Sequence, residues 1–270
     1  MQKIKSFGLL GVDGYAVDVE VDIARGIPSF SVVGLPDTGI KESRERVVSA
    51  INNSGYKMPN AKIVVNLAPA DMRKEGTYYD LAMALGILSS NEIETFFDNV
   101  FNDTAYVGEL GLSGEIRRVN GVLPMLLFAK KAGISRVIIP AGNENEAAFV
   151  DGVEILSAKK LSDVVKFWRG DVSAVNHVKT RSFDQIKNRQ KFDTDMKFIR
   201  GQYVAKRALE IAAAGGHNIL LVGPPGSGKT MLAKCLPTIM PQMTAQESFE
   251  VTKIHSIAEH CTRTTKMSGL

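Results

Sequence analysis

Cysteine is scarce in this 270-residue chain: Cys235 and Cys261 are the whole complement, with no C-x-x-C pair and no ladder of spacings. A disulfide framework and a zinc knuckle are both excluded on that count. Long apolar runs are lacking too. The longest, Val122 to Ala129, is interrupted by Pro124 and falls far short of the roughly 18 residues that cross a bilayer. At the start of the chain Asp13 ends a brief apolar stretch before any small-residue cleavage site, so no export signal is expected. Charge of one sign is also in short supply, the net formal charge being only +4. That surplus does not by itself mark a nucleic-acid groove. These absences lead to the expectation of a cytoplasmic protein without a membrane partner. With 44% hydrophobic and 23% charged residues, the chain has ordinary globular composition and room for one to two domains.

The first clear pattern is the alternation of Val17, Val19, Val21 and Ile23 with Asp18, Glu20 and Asp22, the period of a half-buried strand. A second strand is expected over Ser29 to Val33 and a third over Ile63 to Leu67. Between them Gly34-Leu35-Pro36-Asp37 breaks the chain, and Asp37 or Thr38 stands ready to cap a helix through Ile40, Val47, Val48 and Ile51. Leu81 to Leu88 is apolar almost all round, which places that helix inside the domain. A helix from Gly121 to Lys131, stopped at Gly133, leads into a strand over Arg136 to Ile139. Helix, strand and helix follow at Glu146 to Ala148, Val153 to Leu156 and Leu161 to Trp168. The chain is therefore read as α/β, with a first domain over 1–170, a polar linker over 171–195 and a second, partial domain over 196–270. No internal repeat is visible.

In the second part a helical pattern from Val204 to Ala214 ends at Gly215-Gly216, and an expected strand, Asn218 to Val222, runs into Gly223-Pro224-Pro225-Gly226-Ser227-Gly228-Lys229-Thr230. This satisfies G-x-x-x-x-G-K-[ST] in the strand-then-helix setting that the phosphate loop requires. Glycines at 223, 226 and 228 permit the tight turn that brings backbone N–H groups onto phosphate oxygens, and the following helix aims its positive end at them. Lys229 is expected to reach the β- and γ-phosphates, and Thr230 to place its hydroxyl on Mg²⁺. ATP and Mg²⁺ are the expected cofactors. Hydrolysis needs a further acidic group at the end of another strand, and no apolar strand ending in Asp-Glu follows residue 230.

Other candidates are weaker. His255, His260 and Cys261 lack a fourth ligand for a metal. His217 stands directly before the nucleotide strand, where it could approach a base or ribose or simply pack. Eight basic residues lie between Arg181 and Arg207 against three aspartates, a solvated stretch rather than a phosphate-contacting patch.

Several phrases resemble the magnesium-chelatase-like AAA+ ATPases of the YifB/ComM group. They are Val32-Val33-Gly34-Leu35-Pro36-Asp37, Lys41 to Val47, Val65-Asn66-Leu67-Ala68-Pro69-Ala70-Asp71, Arg73-Lys74-Glu75-Gly76, and Ala208 through Thr230. The resemblance implies a Lon-peptidase-like α+β N-terminal domain followed by the first part of a P-loop AAA+ domain. It also implies homo-oligomeric, hexameric motors that act on DNA in branch migration. In Lon-type peptidases a serine nucleophile and a lysine base do the chemistry; here Tyr78 stands at the serine position and Leu123 at the lysine position. Peptidase activity is therefore not expected, nor do Thr77, Ser89 or Lys74 offer an obvious substitute. The family pattern is expected to be left at Glu259, which reads as a truncated gene product, a frameshift or a partial reading frame. The rival to an ATP-binding fragment is a nucleotide-independent assembly or interaction module.

Overall fold

The computed structural model describes residues 1–92, 103–181 and 194–258. Its described residues fall into two compact units, one of residues 1–181 with 252–258 and the other of residues 194–251.

The first unit is built on an eight-stranded mixed sheet in the order β10-β9-β8-β5-β1-β2-β4-β3. β1 (Gln2–Leu10) and β2 (Asp13–Ala24) form an antiparallel hairpin that pairs from Gln2↔Val21 to Leu10↔Asp13. The two-residue turn between them needs a left-handed backbone, which Gly11 supplies at φ 59°. β2 continues the antiparallel pairing into β4 (Lys62–Ala68), and β3 (Ser29–Val33) lies parallel to β4 at the edge. On the other side of β1, β5 (Thr104–Tyr106), β8 (Arg136–Pro140) and β9 (Glu154–Ala158) run parallel. A separate small ribbon pairs β6 (Glu109–Leu110) with β7 (Ile116–Arg117).

The alternation read in β2 is realised. Val17, Val19 and Val21 are buried, while Asp18 pairs with Lys3 at 2.8 Å and Glu20 accepts from Asn66 at 2.8 Å on the opposite face. Helix α1 (Thr38–Asn53) is capped by Asp37, whose Oδ1 accepts from the Ile40 N–H at 2.8 Å. It buries Ile40, Val47 and Ile51, residues spaced to lie on one stripe. Helix α2 (Asp80–Glu92) is enclosed, as its apolar circumference requires. At Gly86 an added Cβ would lie 2.5 Å from a Val21 methyl carbon, so glycine sets how closely α2 approaches the sheet. Ile4 joins the core shared by α1, α2 and α5 (Leu161–Trp168). Phe7, three residues along and so on the other face, meets Phe128 of α3 (Val122–Lys131) edge to face at 6.0 Å. Trp168 closes α5 by donating its indole N–H to the Tyr106 hydroxyl at 2.9 Å. A short helix, α4 (Glu144–Ala147), precedes β9.

Two parts of this sheet were not anticipated. The central strand β1 and its neighbour β5 lacked a clean alternation, because Ser6 and Phe7 are both buried; Ser6 turns inward by donating to the Tyr106 carbonyl at 2.8 Å. Residues 171–181, expected as the start of a linker, fall within the first unit, and two of them join the sheet. β10 (Asn176–His177) pairs antiparallel with β9, and the Arg181 N–H reaches the Ala148 carbonyl. Edge pairing runs through backbone groups, so the polar side chains gave no sign of it. The middle of the expected linker, residues 182–193, lies outside the described residues, as does the expected departure from Glu259 onward.

The second unit contains α6 (Tyr203–Gly215), α7 (Lys229–Cys235) and the first part of α8 (Ala245–Ile257). Met196, Ile199, Leu209, Leu232 and Cys235 form its small core. Residues 218–222, expected as a strand, are in no ladder among the described residues. Their alternation survives, however, with Ile219 and Leu221 packed toward the core and Leu220 and Val222 each 85% exposed. A strand without a hydrogen-bonding neighbour has only its side-chain pattern left.

Candidate functional site

The expected phosphate loop is the exposed connection between residues 218–222 and α7. Gly226 and Gly228 are left-handed, at φ 78° and 83°, a backbone that side-chain-bearing residues rarely adopt. Gly228 is also the N-cap of α7, and Lys229 and Thr230 are its first two residues. The Lys229 ammonium folds back across the loop. It donates to the carbonyls of Gly223 at 2.8 Å and Pro224 at 2.7 Å and to the Ser227 hydroxyl at 3.2 Å. Ser227 closes the turn through its N–H to the Pro224 carbonyl at 3.3 Å. Gly223, Pro224, Ser227 and Lys229 are thus drawn together, with Pro225, Gly226 and Thr230 exposed on the same loop. These contacts spend the three N–H donors of the ammonium on oxygens of the loop itself, and no carboxylate is among them. Thr230 follows Lys229 at the helix start, the position from which a hydroxyl can join a phosphate-bound divalent cation.

Gln202 was not foreseen as part of this site. Its amide donates to the Ser227 carbonyl at 3.4 Å. The one available hint was Gly201-Gln202 in front of an amphipathic helix that lacks a Ser, Thr, Asp or Asn cap.

The remaining candidates resolve differently. The His217 N–H bonds the Ala212 carbonyl at 2.9 Å, and its ring lies against Gly215, where an added Cβ would be 2.4 Å from Nε2. It packs on the end of α6. His260 and Cys261 lie outside the described residues, among which no group of three His, Cys, Asp or Glu side chains is gathered as for a metal ion. Of the basic stretch, Lys197 pairs with Asp195 and Arg207 with Glu210, both at 3.0 Å, while Lys206 donates to the Ile199 carbonyl.

At the position of the Lon nucleophile the Tyr78 hydroxyl is pushed up to about 12 by burial, and Leu123 is fully buried in α3. The neighbours are committed elsewhere. Thr77 donates to Glu109 at 2.5 Å, and Glu109 also faces Arg117 at 3.5 Å. Ser89 bonds back to the Gly86 carbonyl at 3.0 Å. Lys74 is wholly buried, donates to the Met72 carbonyl at 2.7 Å and has its pKa lowered by desolvation. Asp80, at the start of α2, is held by Arg46 through contacts of 2.7 and 3.2 Å and by the Leu110 N–H at 3.2 Å, so this corner is braced by a buried ion pair.

Residues 19–143 match the family described as subunit ChlI of Mg-chelatase, and residues 195–269 match magnesium chelatase, subunit ChlI. The uncharacterized protein YifB of Escherichia coli K12 is 41% identical over 248 residues, which is 92% of this chain and 47% of that protein. The competence protein ComM of Haemophilus influenzae is 40% identical over 252 residues, 93% of this chain and 49% of that one. The chain belongs to the YifB/ComM family of magnesium-chelatase-like AAA+ proteins. It spans about half the length of these curated relatives. Lon protease 2 of Bacillus subtilis is 33% identical over 167 residues, 55% of this chain and 29% of that enzyme, in keeping with the mixed α/β, Lon-like and P-loop folds. The second family match runs through residue 269 and so includes the tail beyond Glu259 that was expected to leave the family pattern. Among the described residues, no helix is long and apolar enough to cross a membrane.

Proposed function

We propose that this chain is the nucleotide-binding portion of a AAA+ motor, with ATP and Mg²⁺ bound at Gly223–Thr230. The observation that carries this reading is the Lys229 ammonium held in the arc of the loop by the Gly223 and Pro224 carbonyls. In that seat Lys229 neutralises phosphate charge, and the N–H groups of Gly226, Gly228 and Lys229 supply hydrogen bonds to the phosphate oxygens. Thr230 would hold the Mg²⁺, which supplies charge neutralisation across adjacent phosphates. Replacing Lys229 with Ala should weaken binding of a fluorescent ATP analogue by about tenfold or more, given the worth of a charge-assisted contact. Unchanged affinity would overturn the reading.

For a protein of the relatives' full length we propose ATP hydrolysis by a homo-oligomeric ring that remodels DNA, consistent with the competence protein among its relatives. The peptidase-fold unit serves packing, ring assembly or substrate contact rather than proteolysis, a reading supported by Tyr78 and Leu123 at the dyad positions. A second reading, a nucleotide-independent assembly module, is favoured by the extensive core of the first unit. Sedimentation of the whole chain decides between them: self-association that ignores ATP and survives Lys229→Ala supports the module.

A further inference from the structure

Helix α6 begins in an uncommon way. Its N-cap, Gln202, is left-handed at φ 56° and ψ 37°, and its side chain makes no cap bond to the helix. With Leu35 it is one of two non-glycine residues of positive φ among the described residues. The preceding Gly201 is left-handed too, at φ 66°, so two successive residues turn the chain sharply just before the helix. A side chain that could have served the helix's own N–H groups instead extends to the phosphate loop and donates to the Ser227 carbonyl. Backbone strain at a residue other than glycine persists where the surrounding structure holds it, and such places cluster at binding sites.

We infer that Gln202 is a positioning residue for the phosphate loop: its amide pins the Ser227 carbonyl and thereby aims the Gly228 N–H at the phosphates of a bound nucleotide. The inference rests on the nucleotide-binding reading of the loop. In a trans peptide the C=O and N–H point in opposite directions, so a carbonyl held from one side fixes the bearing of the next residue's amide. The pinned peptide needs such a tie, because Ser227 sits between two left-handed glycines, Gly226 and Gly228, which offer little steric resistance to rotation. The other groups of Ser227 are engaged inside the loop, its N–H with Pro224 and its hydroxyl with Lys229. Gln202 anchors it from outside, from the start of a helix whose Leu209 and Ala212 are buried.

The test titrates a fluorescent Mg·ATP analogue, and separately inorganic tripolyphosphate, into the whole chain and its variants, with thermal stability recorded alongside. Gln202→Gly removes both the strain and the amide. It should leave stability equal or higher while lowering affinity for both ligands about fivefold, the worth of one neutral hydrogen bond. Gln202→Glu replaces the donor with an acceptor and sets a negative charge beside the phosphates, so a larger loss, about tenfold or more, is expected. A residue serving only the helix start would give the same stability result for Gln202→Gly but leave affinity for both ligands unchanged or improved, and that result overturns the inference. Lys229→Ala is run in parallel. If it leaves affinity untouched, the nucleotide-binding reading itself has failed; if it weakens binding while both Gln202 variants bind normally, only the role of Gln202 has failed.

Discussion

The two units differ in how completely each buries what it carries. In the first, an eight-stranded sheet has buried side chains on both faces, and Trp168, Tyr79, Tyr106 and Phe7 are almost entirely enclosed. In the second, five residues form the core, and Leu220 and Val222 lie open to solvent beside the phosphate loop. Stability that comes from buried apolar area therefore resides mostly in the first unit, whereas the proposed nucleotide loop lies in the second. Binding sites drawn from the less stable part of a molecule gain most from their ligands, since binding to the folded form alone adds directly to its stability.

The largest effect expected from this contrast is in the first unit. Trp168→Ala removes a buried ring and the indole donor to the Tyr106 hydroxyl, at a cost of about 3–5 kcal/mol. Denaturant titration followed by hydrogen exchange should register that loss across residues 1–181, and a loss shared equally by residues 194–251 would show that the two units unfold as one. Next comes nucleotide. At a hundred times its Kd, an ATP analogue should stabilise the second unit by about 2.7 kcal/mol, read as slowed amide exchange in residues 196–240, and Lys229→Ala should cut that gain to about half or less at the same ligand concentration. Equal slowing throughout residues 1–181 would break the comparison from the other direction.

Smaller effects sharpen it. Asp37→Ala should cost about 1 kcal/mol through loss of the α1 cap, and Asp37→Asn should recover most of it in the same melting experiment. Acidity gives the smallest signal. Burial keeps the Glu146 carboxyl above its usual value near 4.5, against the opposing pull of Asn143 and Arg118. A carboxyl of raised pKa binds its proton more tightly in the folded chain than in the unfolded one. Its contribution to stability is thus present below the ordinary value and lost as pH rises through the raised one. Glu146→Gln should flatten the stability profile of the first unit over that interval, and an unchanged slope there would assign the pH dependence to other groups.

Much of the candidate site was legible because the phosphate-loop pattern depends on residue types at fixed spacing, so Gly223 to Thr230 stand out as candidates without any knowledge of packing. The alternating β2, the capped α1 and the enclosed α2 were legible for the same reason: each shows its environment in its own period. What escaped notice depends on neighbours. β1 is central and buried around Ser6 and Phe7, so the alternation begun by Lys3, Ile4 and Lys5 breaks off there. β10 is held by backbone pairing to β9, which Asn176 and His177 do not advertise. Residues 218–222 carry the side-chain pattern of a strand, but a ladder requires a partner, and the described residues provide none. Gln202 acts through the loop it touches in space, 25 residues further along the chain, a relation no local pattern contains.

The order of strands also has a consequence for the time course of synthesis. The pairings β1–β2, β2–β4 and β3–β4 lie wholly within residues 2–68, so half the sheet is specified by that stretch. The other half joins through β5, whose first residue is Thr104. At roughly 5–20 residues per second, the ribosome needs about two to seven seconds to make the intervening stretch. A half sheet formed during that interval would leave the edge of β1 open, and Thr104–Tyr106 would then pair with it at Lys5.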